Sequence, residues 1–225
     1  MTKKLIFDLG FNDGADTAYY LKEGFNVVAV EANPRLYAAG CVLFSEAIRK
    51  GSVILLNRVF SDINSNRIPF FIHPKHKDWS TADKAKADYW SCKYETVKVK
   101  SINYHELIKY GIPYYIKCDV EGFDYMLIKQ ISESSVKPNF VSCELSRLDY
   151  FKTFSYLFTA GYSGFQLINQ ARNSEGSSGN FGHLLPKTEW MSFDECLTRY
   201  MKYKELKAID NRNLALGWID IHAKQ

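Results

Sequence analysis

Paired cysteines are missing from this chain of 225 residues. Its five cysteines, Cys41, Cys92, Cys118, Cys143 and Cys196, are odd in number and never fall as C-x-x-C. That spacing excludes a zinc knuckle and a closed disulfide framework. Cys118 and Cys143 sit inside apolar runs and read as buried small hydrophobes. Long apolar runs are also missing. "MTKKLIFDLG" carries two lysines and only three consecutive apolar residues, too few for a signal-peptide core or a membrane span. No N-x-S/T sequon occurs. The expectation is a soluble, reduced, cytoplasmic protein without membrane contact. Neither sign of charge dominates: the net charge is +4 and the pI near 8.6. Lys and Arg are spread along the chain, whereas a dedicated nucleic-acid binder concentrates them on one face. Hydrophobic content of 46% with 24% charged residues is that of a globular chain with a full core.

Several short apolar runs have the character of buried parallel strands: "LIFDL" (5–9), "NVVAVEA" (26–32), "SVILLN" (52–57), "YYIKCDV" (114–120) and "NFVSCEL" (139–145). Segments with helical spacing lie between most of them, at 15–23, 36–50, 123–131 and 148–160. This alternation predicts an open parallel sheet with helices on both faces and ligands at the strand C-termini. It breaks at 58–100. There "VFSDINSNRIPFFIHP" reads as a hairpin around an Asn/Ser-rich turn, followed by a polar loop and an exposed strand in "YETVKVKSI". After "GFQLIN" (164–169) come a Gly/Ser/Asn-rich stretch, a helix around 193–206 and a last strand at 214–223. With no linker and no repeat, the expectation is one domain over 1–225, with an insertion around 58–100 and a mobile loop around 170–188.

"IFDLGFNDGADT" ends a strand on an acid, then places Gly10 and Gly14 before a helix start. Glycines there let the backbone turn and approach a ligand. The dinucleotide version, G-x-G-x-x-G, would require glycine where Asn12 and Ala15 stand. Asp8, just before the loop, repels a pyrophosphate and attracts an ammonium group. S-adenosylmethionine is a nucleoside with an α-amino group and no phosphate. Glu31 ends the second strand, where an acid can accept both hydroxyls of a ribose. A second constellation, "YYIKCDVEGFDYMLI", puts Asp119 and Glu121 at the end of the fourth core strand, with Gly122 turning the chain into a helix. Paired carboxylates there are costly to bury unless partnered or ligand-bound. "SCELS" adds Glu144 at the end of the next strand.

Taken together, "FDLGFNDGADT", "VVAVEANP", "LNRVFSD", "DWST" and above all "IKCDVEGFD" resemble the FkbM family of class I S-adenosylmethionine-dependent methyltransferases, whose motif is K-x-D-V-E-G-x-E. The departures are Asp124 for the usual Glu, Cys118 for the usual Ile, and Phe-Asn-Asp after Gly10. The resemblance implies a Rossmann-like α/β fold: a seven-stranded, mostly parallel sheet with an antiparallel last strand and helices on both faces. It implies O-methylation, often of a sugar or natural-product hydroxyl. By position, Asp8, Gly10, Asn12 and Gly14, with Thr17 beside them, would hold the methionine half. Glu31 would bind the ribose and Asn33 flank it, Ser61 and Asp62 would lie at the adenine edge, and Asp119 near the transfer site.

Methyl transfer to an aliphatic hydroxyl needs alignment and removal of a proton. Asp119 is the first candidate base, Glu121 and Glu144 next, and His183, in "SGNFGHLL", an alternative. Asp119 with Glu144 could hold a Mg²⁺ ion, as in some sugar O-methyltransferases. His73, His76, His105 and His222 read as structural. Trp79, Tyr89, Trp90 and Phe181 could form an aromatic wall for the acceptor, with Ser80 and Thr81 orienting a hydroxyl. The N/D-P-P-Y/F turn of amino-group methylation is absent, as is the Pro-Cys of cytosine C5 methylation. A ribose 2′-O-methyltransferase remains a rival. So do an NAD-dependent oxidoreductase and a non-catalytic nucleoside-binding protein.

Overall fold

The computed structural model describes residues 3–89, 92–146, 149–170, 189–209 and 218–225, with side chains to 206 in the fourth of these segments. The strands are β1 (Leu5–Leu9), β2 (Asn26–Glu31), β3 (Val53–Asn57), β4 (Val59–Phe60), β5 (Ile68–Ile72), β6 (Glu95–Val99), β7 (Ser101–Ile102), β8 (Tyr115–Cys118), β9 (Phe140–Glu144), β10 (Gly164–Asn169) and β11 (Ile219–Lys224). The helices are α1 (Ala15–Lys22), α2 (Pro34–Leu43), α3 (Ser45–Arg49), α4 (Lys84–Tyr89), α5 (Tyr104–Leu107), α6 (Asp124–Glu133), α7 (Tyr150–Thr159) and α8 (Phe193–Ile209).

Seven strands form one sheet in the order β10-β11-β9-β8-β1-β2-β3. Only β11 runs antiparallel, against both β10 and β9. This is the doubly wound arrangement of the class I methyltransferases. Alternate residues of each strand go to opposite faces. Phe7, Leu9, Val28, Val30, Ile116 and Val141 pack with Leu127 and Ile131 of α6, Leu157 of α7 and Tyr200 of α8. Ile6, Val27, Ala29, Leu55 and Tyr115 pack on the other side with Tyr20 of α1 and Phe44.

Two readings of the sequence are corrected. The expected hairpin within 59–74 is instead a long-range one: β5 pairs antiparallel with β6, while β4 pairs parallel with β7. The Asn/Ser-rich segment is only the approach to it. The single helix expected over 36–50 is two, α2 and α3. They part at Phe44, which turns its ring inward, edge-on to Phe11 at 5.7 Å.

Phe11 anchors the loop after β1. Its backbone N–H and that of Gly10 both donate to Val30 O, and its ring lies against three neighbours that leave no spare room. A Cβ on Gly40 of α2 would come within 2.6 Å of Phe11 and 2.8 Å of Leu55, and one on Gly14 within 2.7 Å of Phe11. Gly10 is tighter still: at φ +86° its Cβ would lie 1.9 Å from the Asp119 carbonyl. The loop is therefore locked to β2, α2 and the end of β8. In an ordinary helix, Gly→Ala stabilises by up to about 1 kcal/mol. At Gly40 overpacking should win, so Gly40→Ala should destabilise by roughly 1–3 kcal/mol, read as a lowered urea midpoint. An unchanged or raised midpoint would show that Phe11 can yield.

Candidate active site

Over the C-terminal edge of β1, β2 and β8 lies a cleft that opens to solvent. Gly10 and Asn12 of the loop, Glu31, and Asp119 with Glu121 after β8 all line it. Its apolar wall comprises Val30, Leu36, Val59, Phe60 and Phe70, and Arg58, Lys77 and Ser80 add polar contacts. Because β2 and β8 flank β1, Glu31 and Asp119 stand on either side of the loop, two strand spacings or roughly 10 Å apart.

Glu31 is built into place. Its Oε2 accepts the Asn12 N–H at 2.8 Å and its Oε1 the Asn33 N–H at 2.7 Å. Asn12 takes the left-handed conformation, φ +51°, to present that N–H. Burial nevertheless pushes Glu31 up to about 7, the two N–H groups only partly offsetting it.

Beyond β8, the Asp119, Glu121 and Glu144 carboxylates converge, with one oxygen from each within 4.8 Å of the others. Three hard oxygen donors at this separation can hold a divalent cation. Asp119 is the exposed member, its side chain 47% accessible. Glu121 is held from two sides: Thr81 Oγ1 donates to its carbonyl at 2.7 Å, and Lys86 of α4 pairs with its carboxylate. It also carries a left-handed φ of +54°, a strained conformation for a residue with a side chain. Burial, opposed by Lys86 and aided by Asp119, pushes Glu121 up to about 7. Burial likewise raises Asp124 to about 7, with Asp119 and Glu121 adding to it. Asp220, opposite Glu144 in the β11–β9 pairing, is also raised by burial.

Several residues expected at the site lie beneath the cleft or beside it. Asp8 is fully buried. Its Oδ2 accepts from Thr17 Oγ1 at 2.6 Å, and the ammonium facing it is that of Lys117, 3.7 Å from Oδ1. Burial raises Asp8 to about 6 against the pull of Lys117. Gly14 makes room for Phe11 and Phe44. Asn33 caps α2, accepting the Arg35 N–H, and reaches the site only through its own N–H to Glu31. Ser61 accepts the Ile63 N–H and bonds Ile102 through its own N–H. Asp62 is exposed. Their neighbours Arg58, Val59 and Phe60 line the cleft in their place. Thr81 is buried against Glu121, Ser80 reaches the cleft, and Trp79 stacks on His76 at 4.2 Å. Tyr89 is 78% exposed. His73 closes its own turn, accepting the Lys75 and His76 N–H groups. His222 is buried, and pushed down to about 3 by that burial it stays neutral. Trp90, Phe181 and His183, like the loop expected over 170–188, fall wholly or mostly outside the described residues.

The sequence reading assigns no site role to Lys117, Lys86, Asp124 or Phe70, although Lys117 and Asp124 stand in the "IKCDVEGFD" motif. Lys117 had a visible signal: a charge inside the apolar run "YYIKCDV" is costly to bury unless paired. Lys86 had none, because its partner is 35 residues away in the chain.

The sheet order is that of the class I methyltransferase fold. A family profile, the methyltransferase FkbM domain, matches residues 8–172, and the chain belongs to that family. No curated protein matches the sequence. Among solved structures, a precorrin-6y C5,15-methyltransferase from Geobacter metallireducens is similar at 10% identity and TM-score 0.43, over 99% of this chain and 80% of that one. A phosphoethanolamine N-methyltransferase 2 from Haemonchus contortus, in complex with S-adenosyl-L-methionine, is similar at 12% identity and TM-score 0.40, over 100% of this chain and 49% of that one. Likenesses this low decide nothing about substrate.

The buried carboxylates set the pH dependence of stability. Asp8, Glu31, Glu121, Asp124 and Asp220 all have folded values above their unfolded ones. The folded chain therefore holds protons that the unfolded chain releases. The contribution of Asp8, Glu31, Glu121 and Asp124 is full below about pH 4 and is lost as pH rises through about 6 to 7, and Asp220 acts in the same direction. His73 and His222, both pushed down, work in the opposite direction, two groups against five. The urea midpoint should therefore be higher at pH 5 than at pH 8. A midpoint that falls on acidification would show that the cluster is ionised and internally compensated.

Proposed function

We propose that the chain transfers a methyl group from S-adenosylmethionine to a hydroxyl of a small molecule or sugar. The observation that carries this reading is the convergence of Glu31, the Gly10–Asn12 loop and the Asp119/Glu121 pair on one cleft. The donor set suits that cofactor: a fixed carboxylate for the ribose hydroxyls, an apolar wall for the base, and carboxylates rather than phosphate-binding amides facing a cationic group.

When bound, the donor supplies a methyl carbon already activated by its sulfonium. The chain's residues do the rest. Glu31 keeps lone pairs free for ribose hydroxyls after accepting two backbone N–H groups. Val59, Phe60 and Phe70 exclude water from the nucleoside. Asp119, half exposed, accepts the hydrogen bond of the incoming hydroxyl and aligns its oxygen. Glu121, at about 7, is better matched than an ordinary carboxylate to take the proton near neutrality, and Lys86 and Thr81 hold it where it can. This moves the role of base from Asp119, its first candidate in the sequence, to Glu121. Asp119, Glu121 and Glu144 are also the residues that would hold a Mg²⁺ ion, which would polarise the hydroxyl oxygen.

The first test is a thermal shift of the purified chain with S-adenosylmethionine, S-adenosylhomocysteine and NAD. The two adenosyl compounds should raise the melting temperature by mass action and NAD should not; stabilisation by NAD alone would sink the reading. With an acceptor found by screening hydroxyl compounds, Asp119→Asn and Glu121→Gln should each lower kcat by about 10²-fold or more while S-adenosylhomocysteine still binds. Because Glu121 must be ionised to accept a proton, the wild-type rate should rise with pH through about 7. A rate flat from pH 5.5 to 8 would remove Glu121 from that role.

A further inference from the structure

Lys117 lines no part of the cleft, yet it touches what does. It lies on β8, two residues before Asp119, with its side chain only 3% accessible. Its ammonium donates to the Gly10 carbonyl at 2.9 Å. It also lies 3.7 Å from Asp8, 3.5 Å from Asp16 of α1 and 3.7 Å from Asp119. Burial alone would push a lysine down, but the three carboxylates more than reverse that, with Asp119 the largest, and hold it charged. Gly10 and Asp119, by contrast, both face the cleft.

We infer that Lys117 is a positioning residue that fixes the Gly10 loop and the Asp119 carboxylate relative to one another, so that the donor-binding loop and the acceptor-side acid form one rigid unit. This rests on the function proposed above. A plain counter-ion for buried Asp8 would need no bond to Gly10 and no approach to Asp119. The Gly10 carbonyl, moreover, belongs to a residue whose other face is pressed against the Asp119 carbonyl. Lys117 therefore closes a loop of contacts from Gly10 to Asp119 and back, which a hydrophobic residue at this position would leave open.

Two variants separate positioning from charge balance. Lys117→Arg keeps a cation beside Asp8 but replaces a compact ammonium with a planar fork. The double variant Asp8→Asn with Lys117→Met removes both members of the buried pair, which costs far less stability than removing one. Each is followed by urea unfolding and by calorimetric titration with S-adenosylhomocysteine, the double being compared with Asp8→Asn alone. Both should fold cooperatively, and both should bind roughly tenfold or more weakly, because a displacement of about an ångström at such a site is costly. If either folded variant binds within about threefold of its reference, a difference under 1 kcal/mol, Lys117 is only a counter-ion. Failure of the folded wild-type chain to bind S-adenosylhomocysteine would overturn the functional reading itself. Wild-type binding with unaffected variants would overturn only the role of Lys117.

Discussion

The structure is organised around one buried ammonium. Lys117 comes from the strand beside β1, and its partners come from β1 itself, from α1 and from the loops after β1 and β8. An ion taken out of water at this depth carries a penalty of several kcal/mol unless its donors are satisfied. Here three carboxylates and a carbonyl surround it, and the arrangement holds only if those five segments are in register. The same charge that makes the interior costly makes the edge of the sheet single-valued. Phe11 then completes the constraint from above, filling the space that glycines at 14 and 40 leave.

The carboxylates further out have no such abundance of cations. Asp119, Glu121, Asp124, Glu144 and Asp220 gather within reach of one another's charge, with Lys86 contributed from α4. Burial governs Glu121 and Asp124, which are pushed up to about 7, where they exchange protons near neutrality. Acids held in that range weaken the fold at neutral pH, and such acids cluster at functional sites.

The core of the fold was legible because buried parallel strands announce themselves as short apolar runs, and each run ended within two residues of its strand. That Glu31, Asp119 and Glu121 line one cleft was legible for a related reason: they stand at the C-terminal ends of β2 and β8, the two strands that flank β1. Other features depended on distance in the chain. No local pattern says that 68–72 will pair with 95–99, so the Asn/Ser-rich segment reads as the turn. Asp8 was read as facing a ligand's ammonium, because nothing nearby in sequence revealed that Lys117 supplies that charge. Ser61 and Asp62 were expected by position, whereas the residues of this stretch that line the cleft are Arg58, Val59 and Phe60.

The stretch from β5 to α4 meets the site twice over. Phe70, Lys77 and Ser80 roof the cleft, and the same segment sends Thr81 and Lys86 to Glu121. The shape of the roof and the charge environment of that acid are thus properties of a single stretch of chain. Among relatives that vary in this segment, a change of acceptor would arrive together with a change of working pH. An engineer grafting a new roof for a new substrate would inherit a re-tuned acid with it, unless Lys86 and Thr81 were carried across unchanged.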